Sequence, residues 1–203
     1  MQNDVLNRFV ERSLAGRRLA AEEEIGRLVA AGLAVMRRTG DIDAKVGDIV
    51  REAGLSNQAF YRHFESKDEL LLAIMAEGRH ALLAFLERTM AATSDPGEKV
   101  CRWVEGVLAQ ARNPKAAEAT RPFAVSAPRL AHQFPAEVEV SATALKAPLV
   151  GALTGLGSRD PDRDADAVYV LAVGAMDRHL VAGTRPSDAD MDHLVGFALK
   201  AVQ

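Results

Sequence analysis

A short segment near residue 60 carries several polar side chains with amide, guanidinium and hydroxyl groups. Asn57, Gln58 and Arg62 stand close together in the chain. Amide and guanidinium groups present the donors and acceptors that match base edges in the major groove. Which of the three side chains touches bases stays open at this point. Further candidates for contact, through phosphate oxygens or close backbone approach, are Lys45, Gly47, Ser56, Tyr61, His63 and Lys67.

The pattern around this segment predicts two helices joined by a tight turn. Apolar residues spaced for one helix face predict a helix over residues 46–53. Gly54 supplies the backbone freedom that a sharp turn needs, and Ser56 is placed to cap a second helix over residues 57–64. Two helices joined in this way form a helix-turn-helix.

The remaining chain is predicted to be helical as well. Apolar residues recur at helical spacing, and no stretch of useful length alternates as a half-buried strand would, so the predicted fold class is all-α. Four prolines interrupt residues 114–136, where we expect short helical pieces and loops. The other helices are predicted over about residues 22–39, 67–90, 97–113, 136–156, 165–182 and 188–202.

A basic leader precedes the first predicted helix. It contains Arg8, Arg12, Arg17 and Arg18. Two alternatives stay open: a flexible arm that follows the DNA backbone or enters the minor groove, or an additional solvated helix. Glu22–Glu24 are expected in the first turn of the helix that follows, near the positive end of its dipole.

Composition excludes several classes of protein. The chain has 203 residues, 48% of them hydrophobic, enough for a core in one domain or two small ones. Cys101 is the single cysteine, so no internal disulfide or thiolate cluster is expected. The N-terminus lacks the apolar run of a signal peptide, and no stretch is long and apolar enough to span a membrane. The chain has 25 basic and 28 acidic residues, so its net charge gives no sign of a nucleic-acid partner, and evidence for one must come from local placement.

No catalytic or metal-binding motif stands out. The aspartates at every second position from Asp160 resemble a calcium loop, but Ala165 and Leu171 occupy the positions of its glycine and glutamate. A nucleophile elbow, a phosphate loop and a dinucleotide fingerprint are missing from the sequence. We therefore expect no cofactor, no metal and no enzymatic activity. The alternative is an all-α small-molecule carrier or enzyme in which the helix-turn-helix is only structural.

Four short motifs lie between residues 25 and 74: Val46-x-x-Ile49, Ala53-Gly54-Leu55-Ser56, Phe60-Tyr61-x-His63-Phe64 and Ser66-Lys67-x-x-Leu70. With these motifs, residues 25–74 resemble the TetR family of bacterial transcriptional regulators. The sequence departs from the family at Asp41, where an aromatic is usual, and at Lys45, where Ser or Thr is usual.

The resemblance implies an architecture and a function. The implied domains are an N-terminal arm at 1–19, a three-helix DNA-binding domain at 20–68, and a helical effector-binding and dimerisation domain at 69–203, joined by a long helix. The implied function is that of a cytoplasmic homodimer, most often a repressor, which a small-molecule effector releases from a palindromic operator in double-stranded DNA. Half-sites about one helical turn apart require a fixed spacing between the two copies.

Two further sets of residues belong to the C-terminal part. Ligand pockets are mostly apolar with a few polar anchors. Residues of these types in the C-terminal part are therefore candidates for a ligand-binding site: Trp103, Arg121, Phe123, Phe134, Met176 and His179. The last two predicted helices each carry an apolar stripe, and in the family the corresponding helices pair in the dimer. The dimer candidates are Val168, Leu171, Ala175, Met191, Leu194, Val195, Ala198 and Leu199.

Overall fold

The structure, a computed structural model, describes the backbone of residues 2–201 and the side chains of residues 7–200. Over residues 2–201 it contains nine α-helices and no β-strand, which confirms the predicted all-α class. The chain divides into two compact units, Met1–Ile74 and Met75–Gln203. The helices are α1 (Gln2–Thr39), α2 (Val46–Ala53), α3 (Asn57–His63), α4 (Lys67–Met90), α5 (Pro96–Arg112), α6 (Pro114–Gln133), α7 (Pro135–Gly155), α8 (Pro161–Ala182) and α9 (Asp188–Ala201).

The N-terminal unit is built from α1, α2, α3 and the start of α4. Helix α2 has a strongly one-sided apolar pattern and buries Ile49, Val50 and Ala53, while α3 buries Phe60. Each of α1, α2 and α3 contacts the other two. A Cβ added to Gly32 of α1 would come within about 3.1 Å of the Leu70 side chain of α4, so glycine allows a close approach of these helices.

Helix α1 begins about twenty residues earlier than predicted. It runs without a break from Gln2, so the leader is helical and the flexible arm is not what the structure contains. Residues 7–20 are all exposed, so local preferences stabilise this part rather than packing. An ion pair one turn apart contributes, with 2.7 Å between Arg18 Nε and Glu22 Oε1. The placement of Glu22–Glu24 in a first turn is therefore wrong.

The C-terminal unit is organised around α5. This helix contacts α6, α7, α8 and α9, and its Trp103 is fully buried in the main core cluster. The Trp103 indole donates a hydrogen bond of 3.0 Å to the carbonyl of Leu145, which satisfies its one polar atom. A Cβ on Gly106 would lie 2.5 Å from Leu86, so the contact between α4 and α5 requires glycine there.

Helix α6 corrects the prediction for residues 114–136. The structure has one helix over Pro114–Gln133, with Pro122 and Pro128 inside it. Pro114 stands in the first turn, where its missing N–H costs nothing, and the Asn113 side chain caps that turn. Tertiary packing offsets the bonds lost at the two internal prolines, because α6 contacts α5, α7 and α8 and buries Leu130 completely. The predicted break near Pro135 is present, at Phe134.

Candidate nucleic-acid interface

The turn between α2 and α3 is set by one left-handed residue. Gly54 adopts φ +63° and ψ +37°, a conformation that costs a residue with a side chain about 1–2 kcal/mol. The turn is closed by a 2.8 Å hydrogen bond from the Leu55 N–H to the Val50 carbonyl. The turn therefore fixes the direction in which α3 leaves α2.

Arg27 of α1 holds this turn from the other side. Its guanidinium donates hydrogen bonds to the carbonyl of Ala53, at 2.5 and 3.1 Å, and to the carbonyl of Gly54, at 3.0 Å. A Cβ on Gly54 would lie 3.1 Å from Arg27 Nη2, so a side chain there would press on this guanidinium. Arg27 could not be predicted from the sequence, because nothing in the local pattern shows which carbonyls a distant arginine will reach.

Helix α3 begins at a side-chain cap. The Ser56 hydroxyl accepts a 3.1 Å hydrogen bond from the Ala59 N–H, as predicted for this position. This bond uses one lone pair of the exposed Ser56, so the hydroxyl can still donate to a phosphate.

The two sides of α3 differ sharply in exposure. Ala59 and Phe60 are buried. The opposite side consists of four exposed polar residues, with Tyr61 at 61% and the Arg62 side chain at 59% exposure; they are Asn57, Gln58, Tyr61 and Arg62. Edge-to-face contact with Phe60, at 5.2 Å between ring centroids, supports the ring of Tyr61. The Asn57 and Gln58 amides bond to no other side chain among residues 7–200, so their hydrogen-bonding groups are available.

His63 occupies a different position from its neighbours. Its side chain is only 9% exposed, and Nε2 lies 2.6 Å from Oε2 of Glu24 on α1. The same carboxylate oxygen lies 3.8 Å from Arg62 Nη2. The hydrogen bond from His63, with a smaller contribution from the Arg62 charge, lowers the pKa of Glu24 below its ordinary value. His63 and Glu24 thus join the end of α3 to α1, and the imidazole faces the protein.

The remaining predicted contacts lie beside α3. Lys45 and Gly47 at the start of α2 are exposed, and open space surrounds the Gly47 Cα. Lys67 is half-exposed at the start of α4, where Nζ donates a 3.2 Å hydrogen bond to the Asp43 carbonyl. Nζ also lies 3.6 Å from Asp43 Oδ1, and the ammonium group has three N–H donors, so it can still donate to a phosphate.

Comparison with known proteins identifies the N-terminal unit. The family model described as "Bacterial regulatory proteins, tetR family" matches residues 28–74. The HTH-type transcriptional regulator SrpR of Pseudomonas putida is 40% identical over 62 residues, which cover 30% of this chain and 29% of SrpR. Residues 28–74 are therefore similar to the DNA-binding part of TetR-family regulators. The HTH-type transcriptional activator FasR of Mycolicibacterium smegmatis is 31% identical over 90 residues, or 44% of this chain and 41% of FasR.

The matched segments cover less than half of the length of each of these curated relatives. The fold, in contrast, matches along nearly the whole chain. The crystal structure of RolR in complex with resorcinol has a TM-score of 0.67 and 14% identity, covering 91% of this chain and 90% of RolR. The fold of the chain is therefore similar to that of RolR along most of its length.

The six ligand-binding candidates have different surroundings. Trp103 is a core residue, and Arg121 lines a surface cleft beside α8. His179 Nδ1 lies 2.8 Å from the hydroxyl of Thr184, which lines the same cleft. The other three are half-buried: Phe123 in α6, Phe134 between α6 and α7, and Met176 in α8. Their role in ligand binding stays a prediction.

The dimer candidates lie largely inside the protomer. Four of them are buried in its own core: Val168, Ala175, Met191 and Ala198. The other four are half-buried: Leu171, Leu194, Val195 and Leu199. The exposed apolar residues of α8 and α9 lie on the opposite sides of these helices, at Val170, Val181 and Phe197. The predicted stripes contribute to the core of the protomer, and their part in a dimer stays a prediction.

Two general findings concern the described part of the chain. Within it, no helix is long and apolar enough to cross a membrane. No group of three or more metal-ligating side chains among these residues is arranged to hold an ion.

Proposed function

We propose that this protein is a DNA-binding transcriptional regulator that inserts α3 into the major groove of an operator. The observation that supports this most directly is the exposed side of α3, where Asn57, Gln58, Tyr61 and Arg62 present polar groups from a fixed helix. The Gly54 turn, the Ser56 cap and the bonds of Arg27 hold that helix in place before DNA arrives. A surface that is ordered in advance loses less conformational entropy on binding.

Individual side chains take different roles in this proposal. Gln58 and Arg62 contact base edges, where a guanidinium matches guanine and an amide matches adenine. Tyr61, Lys45 and Lys67 bind phosphates, which position the helix along the groove. His63 acts as a positioning residue, because its ring is covered and paired with Glu24.

The proposal includes a homodimer that binds a palindrome. Two copies of α3 reach successive major grooves only when the protomers hold them about 34–36 Å apart. The exposed side of α8 and α9 suits this contact, because it combines Val170 and Phe197 with open space at Gly174. Light scattering should show that Phe197→Arg converts dimer to monomer, whereas Val140→Arg on α7 should not. A dimeric Phe197→Arg variant would exclude this surface.

We further propose that the bound dimer represses transcription and that a small molecule releases it from the operator. A dimer that covers two successive grooves blocks other proteins from that stretch of duplex. RolR has been crystallised with resorcinol, which illustrates ligand binding in a protein of this fold. A ligand that prefers a different spacing of the two DNA-binding units would weaken DNA affinity by linkage.

The test is selection of bound duplexes from random DNA by the purified protein, followed by a salt titration of the selected sequence. We expect a palindromic sequence whose affinity falls steeply as salt rises, because phosphate contacts release counterions. A reporter gene carrying that sequence beside its promoter then shows whether binding lowers expression. Failure to enrich any sequence, with only weak binding at low salt, would favour a carrier in which the helix-turn-helix is structural.

A further inference from the structure

A surface cleft of about 240 Å³ lies between the start of α6 and the loop that follows α8. Arg121 contributes to it from α6, and Thr184 and Arg185 contribute from the loop. Glu118 is the one acidic residue of its lining. The cleft lies entirely within the C-terminal unit.

The two arginines of the cleft are unpaired within the described part of the chain. Arg102, Arg112 and Arg163 of the same unit each pair with a carboxylate of a nearby side chain. Arg121 and Arg185, like Arg159 before α8, make no ion pair or side-chain hydrogen bond with any residue among 7–200, but these two line one cleft. Positive charges that line one cleft without acidic partners favour the binding of an anion.

The Arg121 guanidinium lies against the end of α8. Gly183 closes α8 with φ +70°, and a Cβ there would come within 3.3–3.5 Å of the Arg121 guanidinium. The next residue is also held, because the Thr184 N–H donates to the His179 carbonyl at 3.0 Å and its hydroxyl lies 2.8 Å from His179 Nδ1. The cleft is thus formed by a helix and a capped turn rather than by free side chains alone.

We propose that this cleft binds a small anion, a carboxylate or a phosphate, through Arg121 and Arg185. Guanidinium groups bind both anions through paired N–H donors. The volume falls below the roughly 300–1,000 Å³ of sites for drug-sized ligands, which restricts the ligand to a small molecule. Anion binding does not depend on the proposed DNA-binding function. An effect of the anion on operator binding would depend on it, because the loop of the cleft leads into α9 of the proposed dimer contact.

Isothermal titration calorimetry of the full chain without DNA tests the site. The probes are inorganic phosphate and succinate, each against sodium chloride at matched ionic strength. We expect saturable binding that weakens at least tenfold in Arg121→Gln and in Arg185→Gln. Arg159→Gln, in the exposed loop before α8, is the matched control and should bind as the wild type does. Arg121→Lys keeps the charge without the paired donors and should bind with intermediate affinity.

The outcomes separate the two ligand classes and the two proposals. Binding of phosphate alone or succinate alone supports the site and identifies the class. Equal binding by wild type and both Gln variants, or no binding with a Kd below about 10 mM, overturns it. Melting curves followed by circular dichroism confirm that the variants are folded. Operator affinity without anion is measured separately, so failure of the cleft leaves the DNA-binding proposal intact, and the reverse also holds.

Discussion

The two units of this protein use polar residues in different ways. In the N-terminal unit a few polar contacts determine backbone direction: Arg27 binds the turn carbonyls, Ser56 caps α3 and Glu24 pairs with His63. In the C-terminal unit the main core cluster packs around Trp103, and α6 contributes Ala117 and Ala124 to a second cluster. Directed polar contacts therefore organise the first unit, and buried side-chain volume organises the second. Sequence similarity to SrpR and FasR covers 30% and 44% of this chain, whereas the fold similarity to RolR covers 91% of it.

The largest expected effect is on the core of the C-terminal unit. Trp103→Ala should lower the free energy of unfolding by about 3–5 kcal/mol, because it leaves a large cavity where α5, α7 and α8 meet. Urea denaturation followed by circular dichroism measures the change. Val140→Ala, at a residue that is 71% exposed on α7, should change it by less than about 0.5 kcal/mol. If Trp103→Ala lowered the free energy of unfolding by less than about 1 kcal/mol, the claim that buried side-chain volume organises the C-terminal unit would be contradicted.

A smaller effect is expected from the turn of the N-terminal unit. Gly54→Ala should cost about 1–2 kcal/mol, because alanine is disfavoured at φ +63° and its Cβ would crowd Arg27. Its DNA affinity should also fall. Gly78→Ala, in the exposed middle of α4, should instead stabilise by about 0.5–1 kcal/mol. Thermal denaturation of both variants gives the comparison, and the same sign for both would refute the special role of Gly54.

The third effect concerns Arg27. Arg27→Met keeps the aliphatic stem but removes the hydrogen bonds to the turn, and should cost about 1 kcal/mol. Arg37→Met, at an exposed position of the same helix, is the control and should be nearly neutral. Hydrogen exchange should show faster opening at Gly54 and Leu55 in Arg27→Met. Unchanged exchange there would mean that the turn needs no support from α1.

The smallest effect is a change in pH dependence. The folded pKa of Glu24 is lowered, so its contribution to stability is present above the unfolded pKa of about 4.3 and is lost as pH falls through the folded value. Glu24→Gln should therefore flatten the acid side of the stability profile. Glu23→Gln, at the exposed neighbouring position, should leave the profile unchanged. Thermal melts between about pH 3 and pH 6 make the measurement, and identical profiles for all three proteins would exclude the contribution of Glu24.

The sequence predicted most helices because their determinants are local. The bounds of α2 follow from its apolar face and Gly54, and α3 follows from Ser56. The start of α1 was missed because an exposed helix carries no apolar face packed on the core. The continuity of α6 was missed because its prolines argue against a helix locally, and contacts with three other helices outweigh them.

The candidate sites show the same division. The exposed residues of α3 were predictable, since helical spacing separates them from Phe60. The partners Arg27 and Glu24 were not, because they lie 26 and 39 residues away from the groups they bind. The stripes on α8 and α9 could not show whether a buried face meets the same chain or a second copy. The packing of α5 against both helices accounts for their fully buried residues.

The most direct test of the central claim is a base-substitution scan of the selected operator with wild type, Gln58→Ala, Arg62→Ala and Tyr61→Phe. We predict that Gln58→Ala and Arg62→Ala each relax preference at particular base pairs, by about 1–3 kcal/mol, while Tyr61→Phe weakens all sequences alike. A uniform loss for all three variants, with base preferences unchanged, would contradict the claim that α3 reads the operator sequence.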